Sequence, residues 1–391
     1  MNRVIVSIIS KQTIPNYIFI KEYFQLGDEL LFITSKTMEN KIEPIISTLG
    51  FVNCKISKKV LSENIEEKWD EMCKSIHEIL SKDKTYIVNL TGGTKYMSTA
   101  VQKVFEEFES EFYYIPFPKN EILKYNKDTD HLLLDYRVDI KEYMSLHNVK
   151  YQNKTRVIEK EYTDKFFVDF SNNVFTFSER QVMNNLRQYR DLEKVSNSYR
   201  LSKKIKISLI EEGVNKSSKS FPAINSLNLF LQNISFPLKE DGLIREDEIQ
   251  YLTGGWFEEY IYNMIIQEIN PQDIVLGVDI VQNENTNKND LDVVFTFGNK
   301  LFVIECKTGI SKTEFKGEEA MFKEIAYKSA TIKGTLLGLP GNSFICSLSQ
   351  GNERFNKTAK NMGITYYDKS YFTDKEKFKE FINDIVKIAK N

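Results

Sequence analysis

Asp-Leu-Asp-Val-Val-Phe-Thr-Phe-Gly-Asn-Lys-Leu-Phe-Val-Ile-Glu-Cys-Lys-Thr-Gly, residues 290–309, holds two runs rich in Val, Ile, Leu and Phe, separated by Gly298-Asn299. That pair suits a two-residue hairpin turn. With Phe297 opposite Lys300, the register places Asp292 opposite Glu305 and Asp290 opposite Lys307. Side chains alternate along a strand, so these four charged groups are predicted to project from one side of the hairpin. Directly opposed Cβ atoms lie roughly 4.5–5.5 Å apart.

Two carboxylates at that separation in an apolar sheet repel one another unless a cation lies between them. Mg²⁺ suits such a place, since it takes oxygen ligands and keeps several waters. Lys307 would sit beside the ion, where it can orient a water or offset charge on a phosphorane-like transition state. This is the chemistry of metal-dependent phosphodiester cleavage. The competing reading is a cross-strand salt-bridge ladder, Asp290–Lys307 with Glu305 beside it. Charges that interrupt runs otherwise suited to burial favour a site.

Asp292 followed by Glu305-Cys306-Lys307 across a hairpin resembles the PD-(D/E)xK motif of restriction-endonuclease-like nucleases. No Pro precedes the aspartate, and Asp290 competes with Asp292 for the role. Asp292 is preferred because it is placed opposite Glu305.

A length of 391 residues predicts two or three domains. The net charge of −2 excludes a global basic signature of nucleic-acid binding but leaves room for a local basic channel. Cys54, Cys73, Cys306 and Cys346 are scattered without a CxxC pair, and the chain has only 3 His. A zinc site and a disulfide framework are therefore not expected. The first residues lack a signal-peptide pattern, and no apolar run approaches about 18–20 residues. A soluble, cytoplasmic protein without a membrane segment is expected.

The first ~140 residues alternate strand-like and helix-like segments. Predicted strands are Val4–Ile9, Glu29–Thr34, Tyr86–Leu90, Glu111–Ile115 and His131–Tyr136; predicted helices are Asn16–Phe24, Ile42–Leu49 and Glu63–Leu80. This favours a Rossmann-like parallel sheet with helices on both faces. Tyr86–Leu90 runs into Thr91-Gly-Gly-Thr-Lys95 and then a helix through Phe105. A helix N-terminus there offers free N–H groups and partial positive charge, and the glycines let an anion approach. The spacing is neither GxGxxG nor GxxxxGK[ST], so NAD and P-loop ATP readings fail; a tight Thr-capped turn is the plain alternative. Ser7–Thr13 and Thr34-Ser35 would reach the same carboxyl edge of the sheet.

Ser178–Val195 is predicted helical, and the basic clusters Lys203–Lys206 and Lys216–Lys219 read first as solvated surface. From 241 onward, Tyr251-Leu-Thr-Gly-Gly-Trp-Phe-Glu-Glu-Tyr260 opens a helix through Glu268, with acidic Glu258 and Glu259 in its first turns. Asp273–Asp279 and Ser343–Ser347 are predicted strands; Gly317–Tyr327 and Phe378–Ile388 are predicted helices. Lys323 and Lys328 read as surface charges able to contact phosphate.

The order of the two halves resembles the CARF–nuclease effectors of type III CRISPR defence, in which a CRISPR-associated Rossmann fold senses cyclic oligoadenylate. Thr91–Lys95, Gly254-Gly255-Trp-Phe-Glu-Glu259 and the Asp292/Glu305/Lys307 pattern carry the likeness. It implies an α/β chain: a CARF-type Rossmann-like sensor over 1–145, a partly helical connecting region over 146–240, and a restriction-endonuclease-like α/β domain over 241–391. It also implies a homodimer whose sensors share one cyclic tetra-adenylate, an allosteric activator held by Ser10, Gln12, Thr13 and by Thr91, Gly92, Gly93, Thr94 and Lys95. Glu258, Asp292 and Glu305 would hold Mg²⁺ or Mn²⁺ and act with Lys307 in catalysis. The implied substrates are single-stranded DNA or RNA and duplex DNA that is nicked. Two other classes stay open: a ligand-independent restriction or repair nuclease, and a noncatalytic regulator with a CARF-type sensor.

Overall fold

The computed structural model describes residues 2–51, 54–125, 132–153, 159–195, 204–216, 219–221, 223–238, 242–281, 289–310, 317–332, 334 and 342–390. His131, Lys203 and residues 217–218, named above within a predicted strand and two basic clusters, lie outside them. No described helix is long and apolar enough to cross a membrane.

The first sheet contains β1 (Asn2–Ile8), β2 (Glu29–Ser35), β3 (Ile56–Leu61), β4 (Lys84–Asn89), β5 (Ser110–Tyr114), β6 (Glu121–Lys124) and β7 (Leu132–Leu133). Their order is β3-β2-β1-β4-β5-β6-β7. The first five are parallel, with the expected apolar runs in β1, β2 and β4, whereas β3, half-exposed at one edge with Ser57, Lys58 and Lys59 in its sequence, is absent from the sequence expectations; β6 and β7 return antiparallel at the other edge. The chain reverses its direction of travel between β1 and β4, so the loops after these two strands meet at the carboxyl edge where ligands bind such sheets.

Helices α1 (Ile14–Tyr23) and α2 (Ile42–Leu49) cover one face, α3 (Trp69–His77) and α4 (Lys95–Phe105) the other. The helix predicted over 63–80 is broken: a single turn over Glu63–Glu66 is followed by Lys68 in extended conformation. The apolar spacing Ile65, Trp69, Met72 carries across that break, so periodicity does not reveal it. Of the strand predicted over 131–136, the described residues keep only Leu132–Leu133, both exposed where β7 ends the sheet and so held by pairing with β6 alone.

After α5 (Ile140–Leu146) the chain enters a second sheet. Its strands are β8 (Lys150–Asn153), β9 (Asp273–Val281), β10 (Asn289–Phe297), β11 (Lys300–Lys307), β12 (Ser343–Ser347) and β13 (Thr365–Tyr367), in the order β13-β12-β11-β10-β9-β8. The predicted hairpin is present, with Phe297 opposite Lys300 and pairing running to Val293 opposite Ile304. Gly298 and Asn299 have φ of 59° and 60°, the left-handed pair that matches strand twist in a two-residue turn.

Between the sheets' own strands, α6 (Lys160–Ser171), α7 (Phe177–Val195), α8 (Glu246–Gln250) and α9 (Trp256–Ile269) pack with α12 (Lys375–Lys390) on one face of the second sheet. Among the described residues the expected connecting stretch thus supplies an edge strand and four helices to that half of the molecule: α6, α7 and two short ones, Ile207–Glu212 and Leu227–Asn233. Helix α10 (Glu318–Ile332) and α11 (Glu353–Asn361) form a smaller cluster around Phe322 and Phe355.

The opposite face of the second sheet is covered by the first domain. Val294, Leu301 and Val303 share one apolar cluster with Ile18 and Ile45 of the sensor-side helices and with Tyr143 of α5. Polar bonds reinforce this seam at the hairpin tip. Asn299 Oδ1 accepts from Val138 N–H (2.9 Å), and its Nδ2 donates to Asn120 Oδ1 (2.8 Å) and Tyr136 O (3.1 Å). The Lys300 ammonium donates to the C-terminal carbonyls of α12, Ile388 O and Ala389 O, where the helix dipole favours a cation. Burial lowers the Lys300 pKa to about 8.

Candidate active site and anion-binding loop

Asp292 and Glu305 lie at the end of the hairpin remote from its turn, and both are buried. One Asp292 oxygen accepts from Cys306 N–H at 2.6 Å, which orients the carboxylate toward β11. The Lys307 ammonium donates to Glu305 at 2.6 Å and to Cys306 O at 3.0 Å, and lies 3.5 Å from Asp292. Asp290 stands opposite Asp279 on β9. The choice of Asp292 over Asp290 therefore agrees with where the lysine points.

Burial pushes the Asp292 carboxyl well above its usual pKa, and the like charges of Glu305 and Glu258 add to this. Burial also opposes ionisation of Glu305, but the ammonium groups of Lys307 and Lys328 outweigh it and hold its pKa down. The Lys307 pKa is raised: burial works against its charge, and Asp292 and Glu305 overcome that cost. Glu258, half-buried in the first turn of α9, contributes to this field. Helix α9 itself begins at Trp256, after one wide π turn over Tyr251–Gly255 with Gly254 at φ 152°.

Lys328 is the group that sequence reasoning underrated. From α10 it reaches both Glu305 oxygens at 3.4 Å. In the sequence it reads as a surface charge just past a helix predicted to end at Tyr327, whereas α10 runs on to Ile332. Lys328→Met should let the Glu305 carboxyl rise toward its ordinary pKa, so the acid limb of the cleavage profile should move to higher pH. Initial rates across pH 5–8 check this, and an unmoved limb would separate Lys328 from the reaction.

Among the described residues no group of three or more His, Cys, Asp or Glu is placed to cage a metal. Two buried, mutually repelling carboxylates nevertheless fit a hard divalent ion, which binds through one or two carboxylates and keeps its remaining waters. The donor set does not suit zinc.

In the first domain, the loops after β1 and β4 are joined tightly. Gly92 lies against Ile8, where an added Cβ would be 1.8 Å from the carbonyl oxygen. Below the loop, Asn89 Nδ2 donates to Asn16 Oδ1 (3.0 Å) and Asn89 Oδ1 accepts from Thr91 N–H (3.0 Å), a support absent from the sequence expectations. Several predicted ligand groups have structural partners. Thr91 Oγ1 accepts from Ile115 N–H (2.8 Å), Thr94 Oγ1 caps α4 by accepting from Met97 N–H (3.1 Å), and buried Thr13 donates to Leu146 O (3.4 Å). Ser10 donates to Gln12 O (3.3 Å). Gln12, Gly93, Thr94 and Lys95 are exposed on this edge.

A switch-point sensor fold joined to an α/β sheet with a buried Asp/Glu/Lys set defines a CARF domain coupled to an endonuclease domain. Residues 4–143 match the Card1 CARF domain family, and residues 245–385 match the Card1-like endonuclease domain family. The chain belongs to this CARF–endonuclease family of the Card1 type. Its fold is similar to that of protein VC1899 from Vibrio cholerae, with a TM-score of 0.73, 15% identity and coverage of 98% of each chain. It is also similar to Can2 from Sulfobacillus thermosulfidooxidans in complex with cyclic tetra-adenylate, with a TM-score of 0.68, 20% identity, and coverage of 98% of this chain and 100% of that one. Comparison with curated protein sequences gave no match.

Proposed function

We propose that the chain is a metal-dependent endonuclease switched by cyclic tetra-adenylate in type III CRISPR defence. The buried Asp292–Glu305–Lys307 set on a hairpin packed against the sensor is the observation that carries this reading. In the homodimer, two copies of the 91–95 loop and of Ser10 and Gln12 hold one ring across a two-fold axis, matching its repeated phosphates, while buried Thr13 supports the loop through its bond to Leu146 O. The bound Can2 relative supports the choice of ring. Single-stranded DNA or RNA is the substrate, and duplex DNA is nicked.

Asp292 and Glu305, with Glu258 beside them, would hold Mg²⁺ or Mn²⁺, which when bound would supply Lewis acidity toward the phosphate and activate water. The Cys306 N–H fixes the direction of Asp292, Lys307 and Lys328 keep Glu305 ionised, and Lys307 places positive charge where the transition state becomes more negative.

Cleavage of single-stranded DNA, single-stranded RNA and supercoiled plasmid with Mn²⁺, with and without cyclic tetra-adenylate, tests the whole proposal beside an Asp292→Asn control. Ring-dependent cleavage lost in the control is expected. Cleavage that ignores the ring rejects the switch, and no cleavage rejects the enzyme. Lys95→Ala should weaken ring binding about tenfold through loss of one charge-assisted contact, as measured by calorimetry. Unchanged affinity would place the ring elsewhere.

A further inference from the structure

Helix α7 lies between the two stretches matched by the domain families, in a region to which they assign no role. Its buried face, Val182, Met183, Leu186 and Tyr189, belongs to the same apolar cluster as Trp256 and Phe257 of α9 and Phe302, Ile304 and Cys306 of the catalytic strand. The helix packs against the π turn over Tyr251–Gly255 that opens α9, and its apolar face joins the core on which β11 lies.

From that anchored helix Arg187 reaches both elements at once. Its Nε donates to Thr253 O (3.3 Å), at the π turn that opens α9, and its Nη2 donates to Thr308 Oγ1 (3.1 Å), one residue past Lys307. Arg190, one turn along, donates to Thr253 Oγ1 (3.0 Å), and the same hydroxyl donates to Ile249 O (2.8 Å). The turn itself lies against Thr308: a Cβ at Gly254 would come within 3.9 Å of Thr308 Oγ1.

We infer that Arg187 is a positioning residue of the nuclease site, a two-pronged staple that sets Glu258 on α9 relative to Lys307 and its neighbouring carboxylates on the hairpin. The inference rests on the nuclease reading above. A guanidinium suits this task because its donors leave a rigid plane in fixed directions, whereas a lysine ammonium serves one direction at a time. Without the staple, the turn and the end of β11 keep their own backbone bonds but lose their mutual spacing. Misplacement of a catalytic group by about 1 Å costs about a hundredfold in rate.

The test uses the full chain as Arg187→Met, Arg187→Lys, Thr308→Val and the Met/Val double variant. Single-stranded DNA cleavage with Mn²⁺ and cyclic tetra-adenylate gives kcat and KM, and calorimetry gives Mn²⁺ affinity without nucleic acid. Arg187→Met is expected to lower kcat about ten- to a hundredfold with KM nearly constant, and to weaken Mn²⁺ binding several-fold. Arg187→Lys should recover little, and it carries the test if the Met variant folds poorly. Since both residues act through one bond, the double variant should be no worse than Arg187→Met alone. Wild-type kcat in Arg187→Met, losses that multiply in the double variant, or unaltered Mn²⁺ affinity would each overturn the staple. If the wild type cuts nothing yet binds Mn²⁺, the endonuclease reading fails and the Mn²⁺ comparison still decides the staple. If it binds no Mn²⁺, both fail.

Discussion

Glu305→Gln is expected to lower cleavage by about a thousandfold while leaving cyclic tetra-adenylate binding, measured without metal or nucleic acid, unchanged. Metal charge stabilisation supplies several kcal/mol of the barrier reduction, and about 4 kcal/mol corresponds to about a thousandfold. Glutamine preserves the shape of the side chain but removes the charge that Lys307 approaches at 2.6 Å and Lys328 at 3.4 Å. The amide also relieves the like-charge repulsion that raises the Asp292 pKa, so Asp292 should ionise more readily in the variant. The fold therefore gains and loses comparable electrostatic terms, whereas the ion loses a ligand. Initial rates over a Mn²⁺ series, with calorimetry of ring binding on the same preparation, measure both effects. A glutamine variant that cuts at the wild-type rate would remove Glu305 from the mechanism.

The second large effect belongs to the sensor. Gly92→Ala should destabilise the first domain by about 3 kcal/mol or more, beyond the usual range for adding one methyl to a packed interior. The added Cβ would sit 1.8 Å from Ile8 O and 2.8 Å from Ile8 C. Both are backbone atoms at the end of central strand β1, so no rotamer change relieves the clash. The 91–95 loop must lift away from β1, and the edge proposed to bind the ring opens with it. Ring affinity should fall at least about thirtyfold, the equivalent of 2 kcal/mol. Thermal unfolding and calorimetry check this beside Gly317→Ala, where an added methyl meets nothing within 4 Å. Equal behaviour of the two variants would refute the close packing of the loops.

The hairpin was legible in the sequence because its information is local. Gly298-Asn299 dictates the turn, the turn dictates the register, and the register brings Asp292 to the strand that carries Glu305 and Lys307. The switch-point loop was legible for the same reason, as a strand, two glycines and a helix in succession. What escaped depends on distant packing. Lys328 enters the site because α10 is seated by Phe322 against Phe355 and Tyr366, and nothing near Lys328 signals that. Arg187 meets Thr308 across a separation of 121 residues. Strand β8 joins β9 after an intervening run of helices, so its short polar sequence, Lys-Tyr-Gln-Asn, has no alternation of its own to announce it. The hydroxyls of Thr91 and Thr94 read as ligand groups by type; that each also accepts a backbone N–H, at a turn and at a helix end, was not legible in the sequence.

Asn299 at one end of the hairpin is gripped by the first domain, while Asp292, Glu305 and Lys307 occupy the other end of the same two strands. Transmission along such a beam runs in both directions. By thermodynamic linkage, whatever factor the ring adds to the affinity for metal or nucleic acid, those ligands return to the affinity for the ring. An enzyme engaged on its substrate would then bind its activator more tightly than an idle one. Shut-off would await the exhaustion of targets as well as the decay of the signal.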